Sequence, residues 1–481
     1  MMPPPRLSTP VSPQVIARLK TATGASGYVE DASEIAAYCR SWRDDWTGKV
    51  SLVLLPKTTQ QVADIVRVCA TAGAAIVPQG GNTGLTGAGQ PHADMSEVIV
   101  STSRMDRIRA IDPLNDTITV EAGVILKRLQ AAAEQADRFF PLSLGAEGSC
   151  QIGGNISTNA GGIQVLRYGN MRALVMGLEV VLPDGRIWDG LRGLRKDNSG
   201  YDMKQIFIGA EGTLGIITGA VLRLFPKPTA AETAFVAVDS PQAGVGLLRH
   251  MLARMGDTIS AFELIGRQII DFLLAGVPGH QDPMRETHPW YVLVNVANQG
   301  TPGSLLTPLS DALAEASEAD LIRDALIAAS GAQTARLWKI RESLVEAQAA
   351  AGGTIAHDVS VAVSRIAEFL RRADAALSAA YPGVRPCAFG HVGDGNMHYN
   401  VVRPPDWEAA RFRAERSNIN RIVHDIIADL DGSISAEHGI GRARLGELEH
   451  YKGSTELAMM RALKQALDPQ GIMNPGKVLR A

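Results

Sequence analysis

The sequence predicts an α+β protein of two to three domains. Strand-like and helix-like runs alternate through its second half, as in an antiparallel sheet covered by helices on one face. Pro226-Lys227-Pro228 is the best boundary between the halves. With 481 residues and 51.2 kDa, the chain has ample material for separate buried cores.

Hydrophobic residues make up 46% and charged residues 20% of the chain, and the net charge is −3. That is the balance of a soluble globular protein. It contains no basic block, which argues against a nucleic-acid partner. The four cysteines, Cys39, Cys69, Cys150 and Cys387, form no CxxC pair, so neither a disulfide framework nor an iron–sulfur or haem site is expected. The N-terminus lacks the apolar core of a secretory signal, and no apolar run is long enough to span a bilayer. A cytoplasmic protein, not integral to a membrane, is expected, with a short targeting peptide left open.

The first dozen residues are Pro-rich and expected to fray. Thr58-Thr59 then read as a helix cap before apolar residues at Val62, Ile65, Val66 and Cys69, with a stop at Gly73. Short strands are expected at Ala74 to Val77, Glu97 to Ser101 and Asp116 to Glu121, and a helix near Leu126 to Ala136. Pro183-Asp184-Gly185 signals a hairpin over Val180 to Trp188. Gly209 to Leu224 reads as β-rich. Beyond the boundary come a strand at Thr233 to Val238, a helix to Met255, a strand at Trp290 to Val296, Ala-rich helices from Leu305 to Ala351, and a helical tail from Arg442.

The stretch Pro141 to Gly162, PLSLGAEGSCQIGGNISTNAGG, has five glycines from Gly148 on and no charge from Gly148 to Leu166. It fits neither an amphipathic helix nor an alternating strand, and reads as a long loop with a ligand to wrap. Gly73 to Ala93 is a second run without Asp, Glu, Lys or Arg, centred on Pro78-Gln79-Gly80-Gly81-Asn82-Thr83-Gly84. Either alone is an ordinary Gly-rich turn. Together, with Asn155, Thr158 and Asn159 adding polar side chains, they favour a dinucleotide whose pyrophosphate is held by backbone amides. It is not a Rossmann site, since no GxGxxG opens a helix here. Gly471 to Lys477 spells GxxxxGK, but Val478 stands where a P-loop needs Ser or Thr.

His391-Val-Gly-Asp-Gly-Asn-Met-His398 brackets Asp394-Gly395, a strong two-residue hairpin signal. With that turn His391 lies directly opposite His398, with Cβ atoms ~4.5–5.5 Å apart. Both imidazoles then reach one metal, and Asn400 shares their face; the alternative is a hairpin with two surface histidines. In Ser433 to Gly441, SISAEHGIG, Glu437 completes a three-ligand site with an open position. Its neighbour His438 stands as a base. Arg341 reads, on spacing alone, as a solvated helix residue.

Taken together, PQGGNTGLTG, LGAEGSCQIGGNISTNAGG, LRKDNSGYDMKQIFIGAEGTLGIIT, GHVGDGNMHYN, SAEHGIG and NPGK make the chain resemble the flavin-dependent D-2-hydroxyacid dehydrogenases of the vanillyl-alcohol oxidase superfamily, closest to the D-2-hydroxyglutarate and D-lactate dehydrogenase branch. The resemblance implies a two-lobed, non-Rossmann FAD-binding domain over 1–228, an α+β substrate domain over 229–436, and a C-terminal segment, 437–481, returning to the flavin. It places FAD on Pro78, Gly80, Gly81, Asn82, Thr83, Gly84, Leu85, Gly145, Gly148, Ser149, Gly153, Asn155, Thr158, Asn159, Gly162, Glu211, Gly212, Ile216 and Asn474. Metal falls on His391, His398 and Glu437, with Zn²⁺ expected first and Mn²⁺ or Co²⁺ as alternatives. Arg341, Asn400 and His438 fall at the substrate.

Some superfamily members carry flavin on a histidine of the first loop. Gly80 to Gly87 contains none, so non-covalent FAD is expected. The substrate expected is a small 2-hydroxy acid and the electron acceptor a separate electron-transferring flavoprotein or quinone; a homodimer is one assembly this allows. Members acting on D-2-hydroxyglutarate resemble one another in a Ser or Thr four residues after the arginine and a Lys two before the aspartate at Asp358. Here those positions are Val345 and Ala356. Arg341 and Val345, at i and i+4, share a helix face, so a distal carboxylate would be buried without a partner. D-lactate or a longer or aromatic homologue is therefore expected ahead of D-2-hydroxyglutarate. Two readings of another class are a non-redox ether-lipid transferase, whose SHHHG differs from Ser435-Ala436-Glu437-His438-Gly439, and a silent FAD subunit of a glycolate-oxidising complex.

Overall fold

A computed structural model describes residues 9–42 and 45–480. The Pro-rich start up to residue 8 lies outside them. The next residues are not frayed: Val11 is buried and donates its N–H to the Met95 carbonyl, and Ser12 caps a helix at Pro13–Thr23. The chain folds as two compact units. The first takes the chain up to Gly161, Asn170–Lys227 and everything from His438; the second is Gly162–Gly169 with Pro228–Glu437.

The first unit has two lobes. One is a four-stranded sheet in the order β1 (Tyr28–Val29), β2 (Val53–Leu54), β4 (Glu97–Ser101), β3 (Ala75–Gln79), with β2, β4 and β3 parallel. The helix Thr59–Ala72 makes the crossover between β2 and β3. Thr58 caps it, Gly73 ends it at φ 66°, and Val62, Ile65, Val66 and Cys69 are its fully buried stripe. The other lobe is an antiparallel sheet in the order β5 (Ile108–Asp112), β6 (Thr117–Glu121), β10 (Ile216–Arg223), β8 (Val175–Val181), β9 (Ile187–Gly190). A short ribbon pairs β7 (Arg138–Phe139) with β11 (Phe225–Pro226).

The long Gly-rich stretch is not all loop. Ile152–Ser157 forms a short helix, because Ile152 and Ile156 find full burial and Gly153 lets the backbone approach Ala122, where a Cβ would stand 2.8 Å from the Ala122 methyl. The tail adds helices Leu445–Tyr451 and Ser454–Leu467 and then runs beside β3, where the Ile76 N–H donates to the Ile472 carbonyl and the Ile76 carbonyl accepts from the Asn474 N–H.

The second unit is built on eight antiparallel strands. Their order is β15 (Asp324–Ile327), β12 (Ala230–Val238), β14 (Trp290–Asn298), β13 (Ile259–Gly266), β18 (Arg385–His391), β19 (Asn396–Val402) and β16 (Thr354–Ile355), and β17 (Asp358–Ser360) also pairs with β19. Helices cover both faces of this sheet, not one. Arg267–Gly276, Gly331–Glu342 and Leu344–Ala350 pack with Phe235, Ile265, Leu293, Cys387 and Phe389 in one core. Pro241–Met255 lies over Val238, Leu264 and Val292 on the opposite face, and Ile366–Ala380 brings Phe369 against Tyr399 there. Near-continuous apolar strands such as AFVAV and YVLVNV are what double burial requires. The expected helical run from Leu305 to Ala351 is broken by β15, which forms the sheet edge.

Candidate active site

In the first unit the two Gly-rich stretches meet. Gly81 lies so close to the Ser149 carbonyl that a Cβ would overlap it, and Gly80 faces Gln151 and the Gly154 amide. Pro78, at the end of β3, packs on Gly212. Asn82 takes φ 56°, with its amide bonded to the Arg40 carbonyl (2.9 Å) and to Gln90. A cleft lined by Tyr38, Gln79 to Asn82, Ser101 and Ser103 opens at the C-terminal ends of β3 and β4.

Gly84, Gly145, Gly148 and Gly154 have open space where a Cβ would stand, and Ser149 is exposed beside them. The buried Asn155 Oδ1 has no hydrogen-bond partner among the described residues. Bare amides and few charges fit the pyrophosphate of a cofactor, and the orphaned acceptor fits a hydroxyl or N–H donor elsewhere on it. Thr83 and Leu85 are half-buried in the same loop.

Other expected cofactor residues are engaged within the protein. Thr158 bonds back to the Gly154 carbonyl, Asn159 (φ 51°) accepts from the Arg172 N–H, and the Ile216 side chain lies in the core beneath the first sheet. Asn474 donates to the Ala88 and Glu211 carbonyls, and Gly162 begins the segment that belongs to the second unit. Glu211 is buried with both carboxylate oxygens on the N–H groups of Ile440 and Gly441, at 2.7 and 2.8 Å. Burial pushes its pKa up to about 7 against the pull of those donors.

In the second unit His391, His398 and Glu437 each offer one ligand atom, all within 4.8 Å of one another. The hairpin reaches this by another register than the expected one. His391 pairs with Asn396 and Phe389 with His398, across a four-residue loop, Val392 to Gly395. Only Gly395 has positive φ, 83°, whereas a type I′ turn needs it at Asp394 as well. The two histidines are therefore diagonal, not opposite. A shift of two residues keeps the strand parity, so His391, His398 and Asn400 still share a face.

Glu437 is placed by Asp358, whose carboxylate accepts its N–H at 2.9 Å and stands 3.8 Å from His398 Nδ1. His391 Nε2 lies 3.9 Å from Glu437 Oε1, while its Nδ1 is 2.5 Å from Glu263 Oε1. A carboxylate on Nδ1 fixes the ring and leaves Nε2 for an ion. The N, N, O donor set with this support fits one divalent ion.

Arg341 is not a solvated helix residue. Its Nε donates to Glu263 Oε2 at 2.6 Å, its guanidinium lies over the Phe389 ring, and its Nη groups have no protein acceptor among the described residues. Burial pushes Glu263 up, but His391 and Arg341 outweigh it and hold it at about 2. Burial lowers His391, and Glu263 overrides that to raise it to about 9. Burial, together with the Asp358 and Asp394 carboxylates, drives Glu437 upward.

Asn400 is satisfied within the protein, donating to Gln348 and accepting from the His357 N–H. Val345 does not share a helix with Arg341, since Ser343 ends one helix and begins the next. Val345 and Ala356 are both exposed, so the burial penalty expected for a carboxylate beside them does not apply. What remains is that neither supplies a cation or a hydroxyl. Sequence reasoning passed over Glu263, although it is the one charge in a strand, ISAFELIG, that is buried throughout. Asp358 entered it only as a reference position.

Two family models match the chain, the FAD binding domain over residues 50–190 and the FAD linked oxidases, C-terminal domain, over 227–478. The chain is 38% identical over 439 residues to the mitochondrial D-2-hydroxyglutarate dehydrogenase of Danio rerio, covering 91% of this chain and 80% of that one. It is 36% identical to a Schizosaccharomyces pombe protein provisionally named a mitochondrial D-lactate dehydrogenase, covering 93% and 85%. The crystal structure of p-cresol methylhydroxylase superposes with a TM-score of 0.76 at 17% identity and 98% of each chain covered, a likeness of fold alone. The chain belongs to the FAD-linked oxidases, as an FAD-dependent D-2-hydroxyacid dehydrogenase with the vanillyl-alcohol oxidase type of fold.

Proposed function

We propose that the protein oxidises a D-2-hydroxy acid with an uncharged side chain, D-lactate or a longer or aromatic homologue, to the 2-oxo acid, with non-covalent FAD and one divalent ion. The observation behind this is the three-ligand cluster of His391, His398 and Glu437 beside an arginine held on the same buried carboxylate as His391. Oxidising an α-hydroxy acid removes the hydroxyl proton and the C2 hydride. Bound FAD supplies the hydride acceptor, and the ion supplies a Lewis acid that makes the hydroxyl easier to ionise. His391, His398 and Glu437 hold the ion, and Zn²⁺ suits them first, with Mn²⁺ or Co²⁺ as alternatives. Arg341 grips the substrate carboxylate through its Nη edge. His438 takes the hydroxyl proton as general base.

Electrons then leave for a separate electron-transferring flavoprotein or quinone. Oxygen uptake as fast as turnover with an artificial acceptor would make the protein an oxidase instead. Flavin released by acid denaturation is the expected mark of non-covalent binding.

The preference for an uncharged side chain rests on Val345 and Ala356, which are exposed and so impose no burial penalty, but which offer a distal carboxylate neither a cation nor a hydroxyl. The names of the relatives favour a second reading, D-2-hydroxyglutarate. Comparing kcat/KM for D-lactate, D-2-hydroxybutyrate, D-mandelate, D-malate and D-2-hydroxyglutarate decides between them. A clear preference for either dicarboxylate overturns the first.

A further inference from the structure

The geometry points to Glu211 as the positioning residue for His438, a role that rests on reading His438 as the general base. His438 opens a backbone turn, His438 to Gly441, that the first unit holds from two sides. Thr86 contributes its hydroxyl to the His438 carbonyl at 3.3 Å and accepts the Arg442 and Ala443 N–H groups on its own carbonyl. Glu211 takes the other side, one carboxylate oxygen on each of two successive N–H groups, Ile440 and Gly441.

The turn leaves no room for an alternative. Gly439 has φ 81° and Gly441 φ 50°; a Cβ on Gly439 would stand 2.7 Å from the Glu211 carboxylate, and one on Gly441 would overlap the Thr86 carbonyl. Glu211 is itself fixed. Its φ is 50°, its N–H donates to the Ser157 carbonyl at 2.8 Å, and its own carbonyl accepts from Asn474 at 2.8 Å. A buried carboxylate whose two oxygens are both spent on the backbone beside the base sets the direction of that backbone. An amide cannot replace it, because Gln has one acceptor oxygen and would turn an NH₂ toward an N–H.

Glu211→Gln, loaded with FAD, is expected to lower kcat on the order of 10- to 100-fold, as misplacing a reacting group does. KM and flavin content should stay near wild type, so that the loss falls on kcat alone. Glu211→Asp keeps both oxygens and should recover part of the loss. Gly439→Ala, which drives a methyl into the Glu211 carboxylate, should reproduce the defect and serves if Glu211→Gln does not fold. In Glu211→Gln/His438→Gln the rate should fall no further than in His438→Gln.

Wild-type kcat in FAD-saturated Glu211→Gln, a loss restored by excess FAD, or full additivity with His438→Gln overturns the inference while leaving the base assignment standing. Wild-type turnover in His438→Gln removes the base assignment and the inference with it.

Discussion

Two buried carboxylates show how single residues carry much of this molecule. Glu263 lies in a strand whose every residue is buried, where an unpaired charge would be strongly destabilising. His391 and Arg341 stabilise it, and in return one charge orients both the His391 ring and the Arg341 guanidinium, the proposed metal ligand and carboxylate grip. Glu263→Gln is expected to weaken Zn²⁺ binding about 10- to 100-fold and to raise KM, because its NH₂ must face one of the two donors. Titration calorimetry on FAD-loaded protein reads the first effect, and unchanged Zn²⁺ affinity would show that His391 is oriented by something else.

Glu97 is the counterpart in the first unit, fully buried with Lys477 at 3.0 Å and His92 at 2.9 Å. Burial pushes it up, yet His92 and Lys477 hold it at about 2. A folded value below the unfolded one means stability that is complete above about pH 4.5 and lost as pH falls toward about 2, on the order of 3 kcal/mol. His92, lowered chiefly by burial, adds loss with the same sign beginning below its ordinary value. Lys477→Met should destabilise by ~3–5 kcal/mol, and adding Glu97→Gln should recover much of that by leaving no buried charge. Urea melts at pH 7 check both, and a single variant as stable as wild type would show that the pair contributes nothing.

At the scale of elements, the hairpin shows what the sequence discloses and what it withholds. Asp394-Gly395 correctly marks a turn, and the histidine pair correctly marks one face. The register cannot be read from the dipeptide, because the turn is also held by neighbours far along the chain. Gly395 sits where a Cβ would overlap the Val361 carbonyl, and Gly393 where one would press into Leu166. Gly395→Ala should therefore destabilise the hairpin by at least ~1 kcal/mol and lower metal content, as seen in a metal assay and a thermal melt; an unchanged melt would show that the loop yields easily.

Elsewhere the local signals sufficed. The Thr58 cap and Gly73 stop bound the helix Thr59–Ala72, and Pro183-Asp184-Gly185 joins β8 to β9. They failed where tertiary packing decided the outcome. Ile152–Ser157 is helical despite its glycines because its isoleucines are buried, and β15 forms because the edge of β12 accepts it. At the site, the three side chains that come together, His391, His398 and Glu437, were readable from the sequence, whereas the partners that orient them were not. Glu263 is 128 residues from His391 in the chain, and only the sheet brings them together.

At the scale of the molecule, the division into units separates the two sets of candidate donors. His391, His398 and Glu437, with Glu263, Arg341 and Asp358 behind them, all belong to the second unit. The Gly-rich loops from Gly80 and Gly145 belong to the first, and the chain passes from one unit to the other between Glu437 and His438. Each unit thus carries its own donors, and loss of the ion should not empty the flavin loops. Dialysis against a chelator is expected to abolish nearly all turnover while the visible flavin spectrum and the FAD-to-protein ratio stay unchanged. Zn²⁺, Mn²⁺ or Co²⁺ added back should restore activity with the flavin already in place. His391→Ala or Glu437→Gln should copy the chelated state and resist restoration, since each removes a ligand rather than the ion. Flavin lost together with the metal would show that the two sites depend on each other, and full turnover in metal-free protein would remove the ion from the chemistry.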